Sequence, residues 1–378
     1  MKKAVGRFFV LFILSALAFN CTVQSGNDLR YFDTAEENSS QLRLAILYPS
    51  LGSLRALIKL KERDIFDPDN LIIIGVYHEK ERSDYKRSID MVRGKNIDWI
   101  KFHKVSGEIN KDNLFKKNSL SNDFNLIFKK SDGIIFFGGA DIPPYIYHEQ
   151  TELLTSIHTP YRHFFELSFV FHLLGGSQDK SFIPLLESAP EFPVLGICLG
   201  EQTLNVGSGG DMVQDIWAEK YGINFVEEAI ALSQDNWHKN PLARLHPEEN
   251  LFSYHLHPIK LEAEGKFIKE FGFKVEDTPR ILSSHHQAVD KLGKGMTVIA
   301  TSMDGKVIEA IEHIKYPNVL GIQFHPESPS LYDQDEKRKI TPGDQKAVSC
   351  LSILKNNPPS LAFHKKIWAW FAEKLSKH

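Results

Sequence analysis

The stretch PVLGICLGEQTLN, residues 193–205, places a cysteine between two glycines at the end of an apolar run. The spacing Gly196-x-Cys198-x-Gly200 predicts a sharp strand-to-helix turn that presents the thiol at the edge of a sheet. The glycines remove the Cβ atoms that would clash in such a turn. The positive end of the helix that follows favours the thiolate, which is the form that attacks a carbonyl carbon. Cys198 is therefore the candidate nucleophile, with a buried structural cysteine as the alternative.

A histidine and a glutamate two residues apart occur in GIQFHPES, residues 321–328. On an extended segment, His325 and Glu327 point to the same face. A carboxylate in that position can accept a hydrogen bond from one imidazole nitrogen and leave the other nitrogen for a thiol. Because triad partners meet in space rather than in sequence, the two residues complete a predicted Cys-His-Glu triad with Cys198.

Acyl transfer also needs donors that hold the oxyanion. The segment FFGGADIPP, residues 136–144, ends an apolar run with two glycines. The backbone N–H of Gly139 is one candidate donor, and the N–H of Leu199, next to the nucleophile, is the second. An ordinary glycine turn is the alternative for residues 138–139.

The elements that must position these residues alternate between strand and helix. Short apolar runs predict buried strands, and helical spacing predicts helices between them. The runs lie at 43–49, 71–77, 97–105, 133–139 and 193–197, and the helical patterns at 53–63 and 159–174. The fold class predicted from this alternation is α/β, a doubly wound and mostly parallel sheet flanked by helices.

Later segments add detail to this domain. Two β-like runs within 295–314 flank Asp304-Gly305, which predicts a small β-hairpin, and 318–324 is a final strand. Residues 219–280 have weak periodicity and are interpreted as an insertion or cap. The tail at 344–376 is helical in pattern, and we expect its apolar stripe to pack on the domain rather than on a membrane.

The N-terminus has the features of an export signal. Residues 1–20 join a basic start, Lys2, Lys3 and Arg7, to an apolar run too short to span a bilayer. Cys21 follows, and we expect it to be lipidated. The predicted domains are a signal peptide at 1–20, a flexible tether at 21–41 and a hydrolase domain at 42–378. The expected location is the cell envelope as a membrane-attached lipoprotein, or secreted or periplasmic if Cys21 is not acylated.

Composition excludes several classes of function. With 45 Lys+Arg against 48 Asp+Glu, the net charge of −3 provides no global field for nucleic acid. The 3 cysteines allow at most one disulfide, which excludes a disulfide scaffold. Neither a phosphate-binding glycine loop nor a clustered Cys/His ligand set is present, so we expect no cofactor and no metal. The adjacent His285 and His286 point to opposite faces of an extended chain.

Four motifs occur in the order GGADIPP, GICLGEQ, SSHHQAVD (283–290) and GIQFHPE. Together they resemble the class I glutamine amidotransferase superfamily, and most closely its γ-glutamyl-γ-aminobutyrate hydrolases and γ-glutamyl hydrolase-type peptidases. The resemblance covers residues 42 to 330. It implies that Cys198 is the nucleophile, His325 the general base and acid, and Glu327 its orienting partner.

The resemblance also implies substrate-binding residues. Gln202 would line the glutamyl pocket, and the segment Ser284–His286 would form part of its wall. Departures from the family pattern are Leu199, Glu201 and a long stretch at 175–191. These departures concern the leaving-group side of the substrate more than the chemistry.

The function predicted from the sequence is a thiol hydrolase that cleaves γ-glutamyl amide bonds through a glutamyl thioester. Its expected partner is a small γ-glutamyl substrate. Three alternatives stay open: a glutaminase subunit that feeds a separate synthase, a hydrolase of γ-linked glutamyl peptides, and a catalytically silent binding lipoprotein.

Overall fold

The computed structural model of the protein describes residues 29–36 and 40–377. The predicted signal peptide and Cys21 lie outside these residues. The described strands are β1 (Leu42–Leu47), β2 (Leu71–His78), β3 (Ile100–Val105), β4 (Gly133–Phe136), β5 (Val194–Ile197), β6 (Met212–Val213), β7 (His255–Leu261), β8 (Arg280–Ser283), β9 (Ala288–Val289), β10 (Met296–Ser302), β11 (Ile308–His313), β12 (Val319–Ile322), β13 (Lys337–Arg338) and β14 (Val348–Ser349).

Helices connect these strands. They are α1 (Tyr31–Thr34), α2 (Leu51–Glu62), α3 (Tyr85–Gly94), α4 (Ser121–Lys130), α5 (Pro160–Leu174), α6 (Leu199–Gly207), α7 (Ile216–Tyr221), α8 (Val226–Ala231), α9 (Lys266–Lys269), α10 (Cys350–Lys355) and α11 (Ser360–Leu375). Short 3₁₀ turns occur at Pro144–Ile146, Leu185–Glu187, Gln234–Asn236, Pro247–Glu249 and Pro329–Tyr332.

Ten of the strands form one sheet in the order β3-β2-β1-β4-β5-β12-β11-β10-β7-β8. The six strands from β3 to β12 run parallel, and the other four continue the sheet in antiparallel fashion. Side chains of β1 alternate between the two cores: Leu44 and Ile46 pack with α2 and α11, whereas Ala45 and Leu47 pack with α4 and α5. The mostly parallel sheet with helices on both faces confirms the predicted fold class.

Strands β4, β5 and β12 lie side by side. Each of them leads directly into one of the candidate motifs: the glycine pair at 138–139, the cysteine turn at 198 and the His-Pro-Glu turn at 325–327. Because neighbouring parallel strands end at the same edge of a sheet, this order brings the three motifs together.

The predicted hairpin is present, since β10 and β11 pair in antiparallel fashion around Asp304-Gly305. Region 219–280 differs from the prediction of an insertion, because β7 lies within it and pairs with both β10 and β8 in the main sheet. Histidine and proline in β7 interrupt the apolar alternation that marks a strand, which hid it in the sequence.

The C-terminal region also differs from the prediction of one helical stretch. Within 344–376, helices α10 and α11 are separate, and Pro358 and Pro359 lie between them. Because proline lacks the backbone N–H that would continue the helix, these two residues separate α10 from α11. The apolar stripe of α11 is buried against the sheet through residues such as Phe363, Trp368 and Phe371, as expected.

Part of the predicted flexible tether is folded onto the domain. Phe32 in α1 is fully buried, and its ring meets the ring of His103 edge-on at 5.1 Å. Arg30 forms ion pairs with Asp33 and with Asp123 of α4. The tether prediction is therefore wrong for residues 29–36, because the buried Phe32 ring, the ion pairs of Arg30 and hydrogen bonds from Lys130 to the carbonyl oxygens of Phe32 and Ala35 dock them.

Across residues 29–36 and 40–377, no helix is both long enough and apolar enough to cross a membrane.

Candidate active site

The turn that carries the cysteine is strained. Cys198 has φ +54°, in the left-handed region that side chains with a Cβ rarely adopt. A Cβ at Gly196 would lie 2.5 Å from the carbonyl oxygen of Gly200, and a Cβ at Gly200 would lie 2.0 Å from the carbonyl oxygen of Phe136. Gly196 is therefore needed for the start of α6 to pack on β5, and Gly200 is needed for α6 to pack against β4. Helix α6 begins directly after the thiol.

His325 and Glu327 lie beside this thiol. The N–H of Cys198 donates to the carbonyl oxygen of Ile322, 2.7 Å away, which fixes β5 against β12. The Nδ1 of His325 lies 2.8 Å from Oε1 of Glu327 and donates to it. Burial lowers the pKa of His325, but the charges of Glu327 and Cys198 and hydrogen bonds to both raise it well above its ordinary value. The structure thus brings the three predicted residues together.

The two glycines of the GGAD segment lie at the thiol. A Cβ on Gly138 would approach Cε1 of His325 at 3.1 Å and Cβ of Cys198 at 3.4 Å. The N–H of Gly139 belongs to the peptide that joins the two glycines, and a Cβ on Gly139 would lie 3.2 Å from Cδ2 of Leu199. The N–H of Leu199 is the first of α6, where backbone donors have no partner within the helix. The two N–H groups stay the predicted oxyanion donors.

Arg162 on α5 orients the glycine segment, and sequence reasoning missed it. Its Nη2 donates to the carbonyl oxygens of Phe137 at 2.7 Å and Gly138 at 3.2 Å. Its Nε pairs with Glu166 at 2.7 Å, with both side chains at most 2% exposed, and its guanidinium lies 3.6 Å from the ring centre of Tyr48. The sequence feature that could have indicated it is the spacing of four between Arg162 and Glu166, two opposite charges in an otherwise apolar helix.

The His-Pro-Glu turn is held from behind by two aromatic side chains. The hydroxyl of Tyr332 donates to the carbonyl oxygen of Pro326 at 2.8 Å, and the indole N–H of Trp368 donates to the same oxygen at 3.1 Å. Trp368 belongs to α11, so the C-terminal helix positions the residues on either side of Pro326. No local motif in the sequence announced this contact.

Gln202 is buried inside the fold. Its Nε2 donates to Oε1 of Gln323 at 3.0 Å and to the carbonyl oxygen of Gln287 at 3.4 Å. The side chain therefore links α6 to the segment after β12 that carries His325 and to the His-His-Gln segment. Its predicted position along a glutamyl pocket stays a prediction.

His286 lies between two aspartates. Its Nε2 is 3.1 Å from Asp141, three residues after Gly138, and its Nδ1 is 3.3 Å from Asp215. Burial lowers the pKa of His286, but hydrogen bonds to both carboxylates overcome this and raise the pKa to about 9. The imidazolium charge is thus stable at neutral pH, and it ties the GGAD segment to the start of α7.

Two cavities flank this histidine. The larger, about 680 Å³, has His286 and Asp215 in its wall together with Lys239, Asn240 and Arg244. The smaller, about 350 Å³, includes Asp141 and Arg162. His286 thus forms part of the wall of the larger cavity, and its place in a glutamyl pocket stays a prediction.

Comparison with known proteins points in one direction. Residues 73–327 match the family described as Peptidase C26. The glutamine amidotransferase-like protein YvdE of Lactococcus lactis is 33% identical over 196 residues, which cover 52% of this chain and 66% of that protein. The glutamine amidotransferase-like protein RP404 of Rickettsia prowazekii is 28% identical over 227 residues, or 55% and 74% of the two chains.

A solved glutamine amidotransferase from Thermotoga maritima aligns with 90% of this chain and 98% of its own, at 14% identity and a TM-score of 0.35.

Proposed function

This chain belongs to the Peptidase C26 family of glutamine amidotransferase-like hydrolases, and we propose that it cleaves γ-glutamyl amide bonds with Cys198 as nucleophile. The observation that carries the proposal is the arrangement of Cys198, His325 and Glu327 at the ends of two neighbouring parallel strands. The glycine pair that ends β4 lies on the other side of the thiol.

The chemistry follows from this geometry. His325 takes the thiol proton, and the sulfur of Cys198 forms a bond to the γ-carbonyl carbon. The N–H groups of Gly139 and Leu199 hold the oxyanion of the tetrahedral intermediate. His325 then gives its proton to the amine nitrogen, the C–N bond breaks, and the glutamyl group remains on Cys198 as a thioester. Water, deprotonated by His325, attacks the thioester and releases glutamate and the thiol.

Glu327 supports both half-reactions through His325. The carboxylate stabilises the imidazolium that forms when the thiol loses its proton. Because the charges of Glu327 and Cys198 raise the pKa of His325, the imidazolium persists long enough to protonate a leaving amine.

The test is acylation of the full chain by a γ-glutamyl p-nitroanilide, with intact-mass detection of the glutamyl thioester. We expect a covalent glutamyl adduct and steady release of nitroaniline. Cys198→Ala should show neither, while Cys350→Ala, which changes a buried cysteine remote from the turn, should keep both. An intact wild-type protein that forms no adduct with any γ-glutamyl compound would favour the binding lipoprotein.

The larger cavity favours γ-glutamyl peptides as the preferred substrates over simple γ-glutamyl amines. Beside the paired His286 and Asp215, Lys239 and Arg244 give its wall cationic groups, which suit a leaving group that carries a carboxylate. A panel of γ-glutamyl-amino acids against γ-glutamyl-alkylamines measures this preference. We expect kcat/KM to favour the amino acid series, and Arg244→Gln to reduce that advantage. Equal kcat/KM for the two series would favour an amine substrate or glutamine itself.

We also propose attachment to the cell envelope through a lipidated Cys21. The support is the sequence of residues 1–21 alone. Mass spectrometry of the mature N-terminus tests it: an acylated Cys21 is expected, and an unmodified N-terminus at another residue would refute it.

A further inference from the structure

Four buried side chains converge about a single point on the antiparallel side of the sheet. They are His238 after the 3₁₀ turn Gln234–Asn236, His257 on β7, His285 after β8, and Glu309 on β11. One ligand-type atom from each lies within 4.8 Å of the others. We call these four residues the His₃Glu cluster.

The N···O distances within the cluster are close to the distances between ligand atoms around a single metal ion. Nδ1 of His238 is 3.1 Å from Oε1 of Glu309, Nε2 of His257 is 3.6 Å from the same oxygen, and Nε2 of His285 is 3.8 Å from Oε2. Ligand atoms around a tetrahedral Zn²⁺ with bonds of about 2.0–2.1 Å lie about 3.3 Å apart. The three distances to Glu309 are within about 0.5 Å of that value, whereas ligand atoms as far as 4.8 Å apart would have to move closer when an ion binds.

Among the described residues, none of the facing atoms makes a hydrogen bond, because even the 3.1 Å approach of His238 Nδ1 to Glu309 Oε1 lacks hydrogen-bond geometry. Within the described part of the chain, the three facing imidazole nitrogens and both oxygens of Glu309 are buried and unpaired. All four side chains are at most 2% exposed. Buried polar atoms without partners are costly, so five of them around one point call for an explanation.

Tautomers sharpen the problem. Nδ1 of His285 is 2.8 Å from the carbonyl oxygen of Gln287, and Nδ1 of His257 is 3.1 Å from the carbonyl oxygen of Pro258. A carbonyl only accepts, so both Nδ1 atoms carry the hydrogen. In the neutral rings that burial favours, both Nε2 atoms then point lone pairs at the oxygens of Glu309.

A proton on Glu309 could satisfy only one of these lone pairs. A cation among the four groups would satisfy all of them at once. The hydrogen bonds on the far side of His257 and His285 are also the kind that orient metal-binding imidazoles. A second carboxyl, Glu201, is completely buried with both oxygens unpaired among the described residues.

We propose that the His₃Glu cluster binds one divalent transition-metal ion. Its donor set of three imidazoles and one carboxylate identifies that ion as Zn²⁺. The ion joins β7, β11, the loop at 236–240 and the His-His-Gln segment. Lys239 and His286, next in sequence to two of the ligands, form part of the larger cavity's wall. The metal thus has a structural role: it fixes the wall that we assign to the leaving group.

The test measures metal on the purified full chain. After incubation with Zn²⁺ and gel filtration, elemental analysis should find about one zinc per chain in the wild type and in Cys198→Ala, which excludes the thiol as the binding site. Glu309→Gln and His238→Gln should each hold at least tenfold less. His364→Gln, which alters a fully buried histidine outside the cluster, should hold as much as the wild type.

Spectroscopy on the unmutated chain keeps the proposal testable if a variant does not fold. Zinc-edge X-ray absorption should show imidazole and oxygen neighbours without sulfur, and Co²⁺ should give the visible bands of a four-coordinate site. A wild-type chain that retains less than a tenth of an equivalent of zinc would overturn the proposal. So would sulfur in the coordination shell, or loss of the metal in Cys198→Ala. These readouts do not depend on turnover, so failure of the proposed hydrolase activity would leave them unaffected.

Discussion

At the scale of single residues, Glu327 controls how firmly His325 holds its proton. Its carboxylate accepts the Nδ1 hydrogen at 2.8 Å and is one of the groups that raise the pKa of the imidazole. Glu327→Gln keeps an acceptor of similar shape but removes the charge. The alkaline limb of the pH profile of kcat/KM reports loss of the His325 proton. We expect that limb to move to lower pH in Glu327→Gln, with kcat reduced by on the order of 10²-fold or less.

A double variant at His325 and Glu327 tests whether the two residues act together or independently. Because the two residues act as one unit, Glu327→Gln combined with His325→Ala should cost little more than His325→Ala alone. Single-turnover acylation rates of the three variants give the comparison. Additive losses in activation free energy, or an alkaline limb that does not move, would remove Glu327 from the triad.

Arg162 acts on the oxyanion loop through two carbonyl oxygens. Removing it alone leaves Glu166 buried and unpaired, which costs about 3–5 kcal/mol. We therefore compare Arg162→Met/Glu166→Gln with Glu166→Gln alone. The double variant should fold, with kcat reduced about tenfold or more because the Gly138–Gly139 peptide loses its fixed orientation. Circular dichroism and kcat are the measurements, and a double variant with wild-type kcat would show that Arg162 does not position the loop.

At the scale of elements, the C-terminal helix α11 reaches the site through one indole. Trp368→Phe removes the donor to Pro326 but keeps most of the buried ring, so the fold should survive at a cost of about 1–2 kcal/mol. We expect kcat to fall several-fold with KM little changed, because Tyr332 alone then holds the turn.

Trp370→Phe is the matched control on the same helix. Its indole donates to Glu270, at 3.1 Å, away from the site. That variant should lower Tm by a similar amount and leave kcat unchanged. If both variants changed kcat equally, the effect of Trp368 would be general destabilisation rather than positioning.

At the scale of the whole molecule, buried neutral histidines make stability depend on pH. Burial lowers the pKa of His103 to about 4, and the N–H of Phe32 donates to its Nδ1 at 3.2 Å, which requires the neutral ring. The pKa in the folded state is below the unfolded value of about 6.5. The stabilisation is therefore complete above pH 6.5 and is lost as the pH falls from 6.5 towards 4. For a single group it is at most about 3 kcal/mol.

His103→Asn keeps an acceptor for Phe32 but does not titrate. The test is urea unfolding at pH 7.5, 6.5, 5.5 and 4.5. In both proteins the free energy of unfolding should decrease as the pH is lowered, because burial also lowers the pKa of other histidines, namely His163, His172, His313 and His364. The variant should be less stable at pH 7.5, but its slope should be smaller by about one proton. Identical slopes would show that His103 does not contribute to acid destabilisation.

The sequence by itself determined the parts of this protein that depend on near neighbours. Gly196 and Gly200, each two residues from Cys198, define a sharp turn through short-range sterics alone. The spacing of two between His325 and Glu327 likewise sets which face of the chain they share. Cys198, His325 and Glu327 could therefore be named, and apolar runs located the parallel strands. The roles of these three residues in catalysis stay predictions, although the structure places them together.

Only the tertiary structure decided which distant segments meet. Arg162 reaches the glycine loop from another helix, and Trp368 reaches Pro326 from the far end of the chain. The His₃Glu cluster gathers its members from four segments between residues 238 and 309, with no regular spacing to reveal them. Strand pairing sets these contacts, and pairing is a long-range property that short sequence patterns do not encode. For the same reason, β7 was hidden in the region interpreted as an insertion, since its place in the sheet depends on its neighbours β10 and β8.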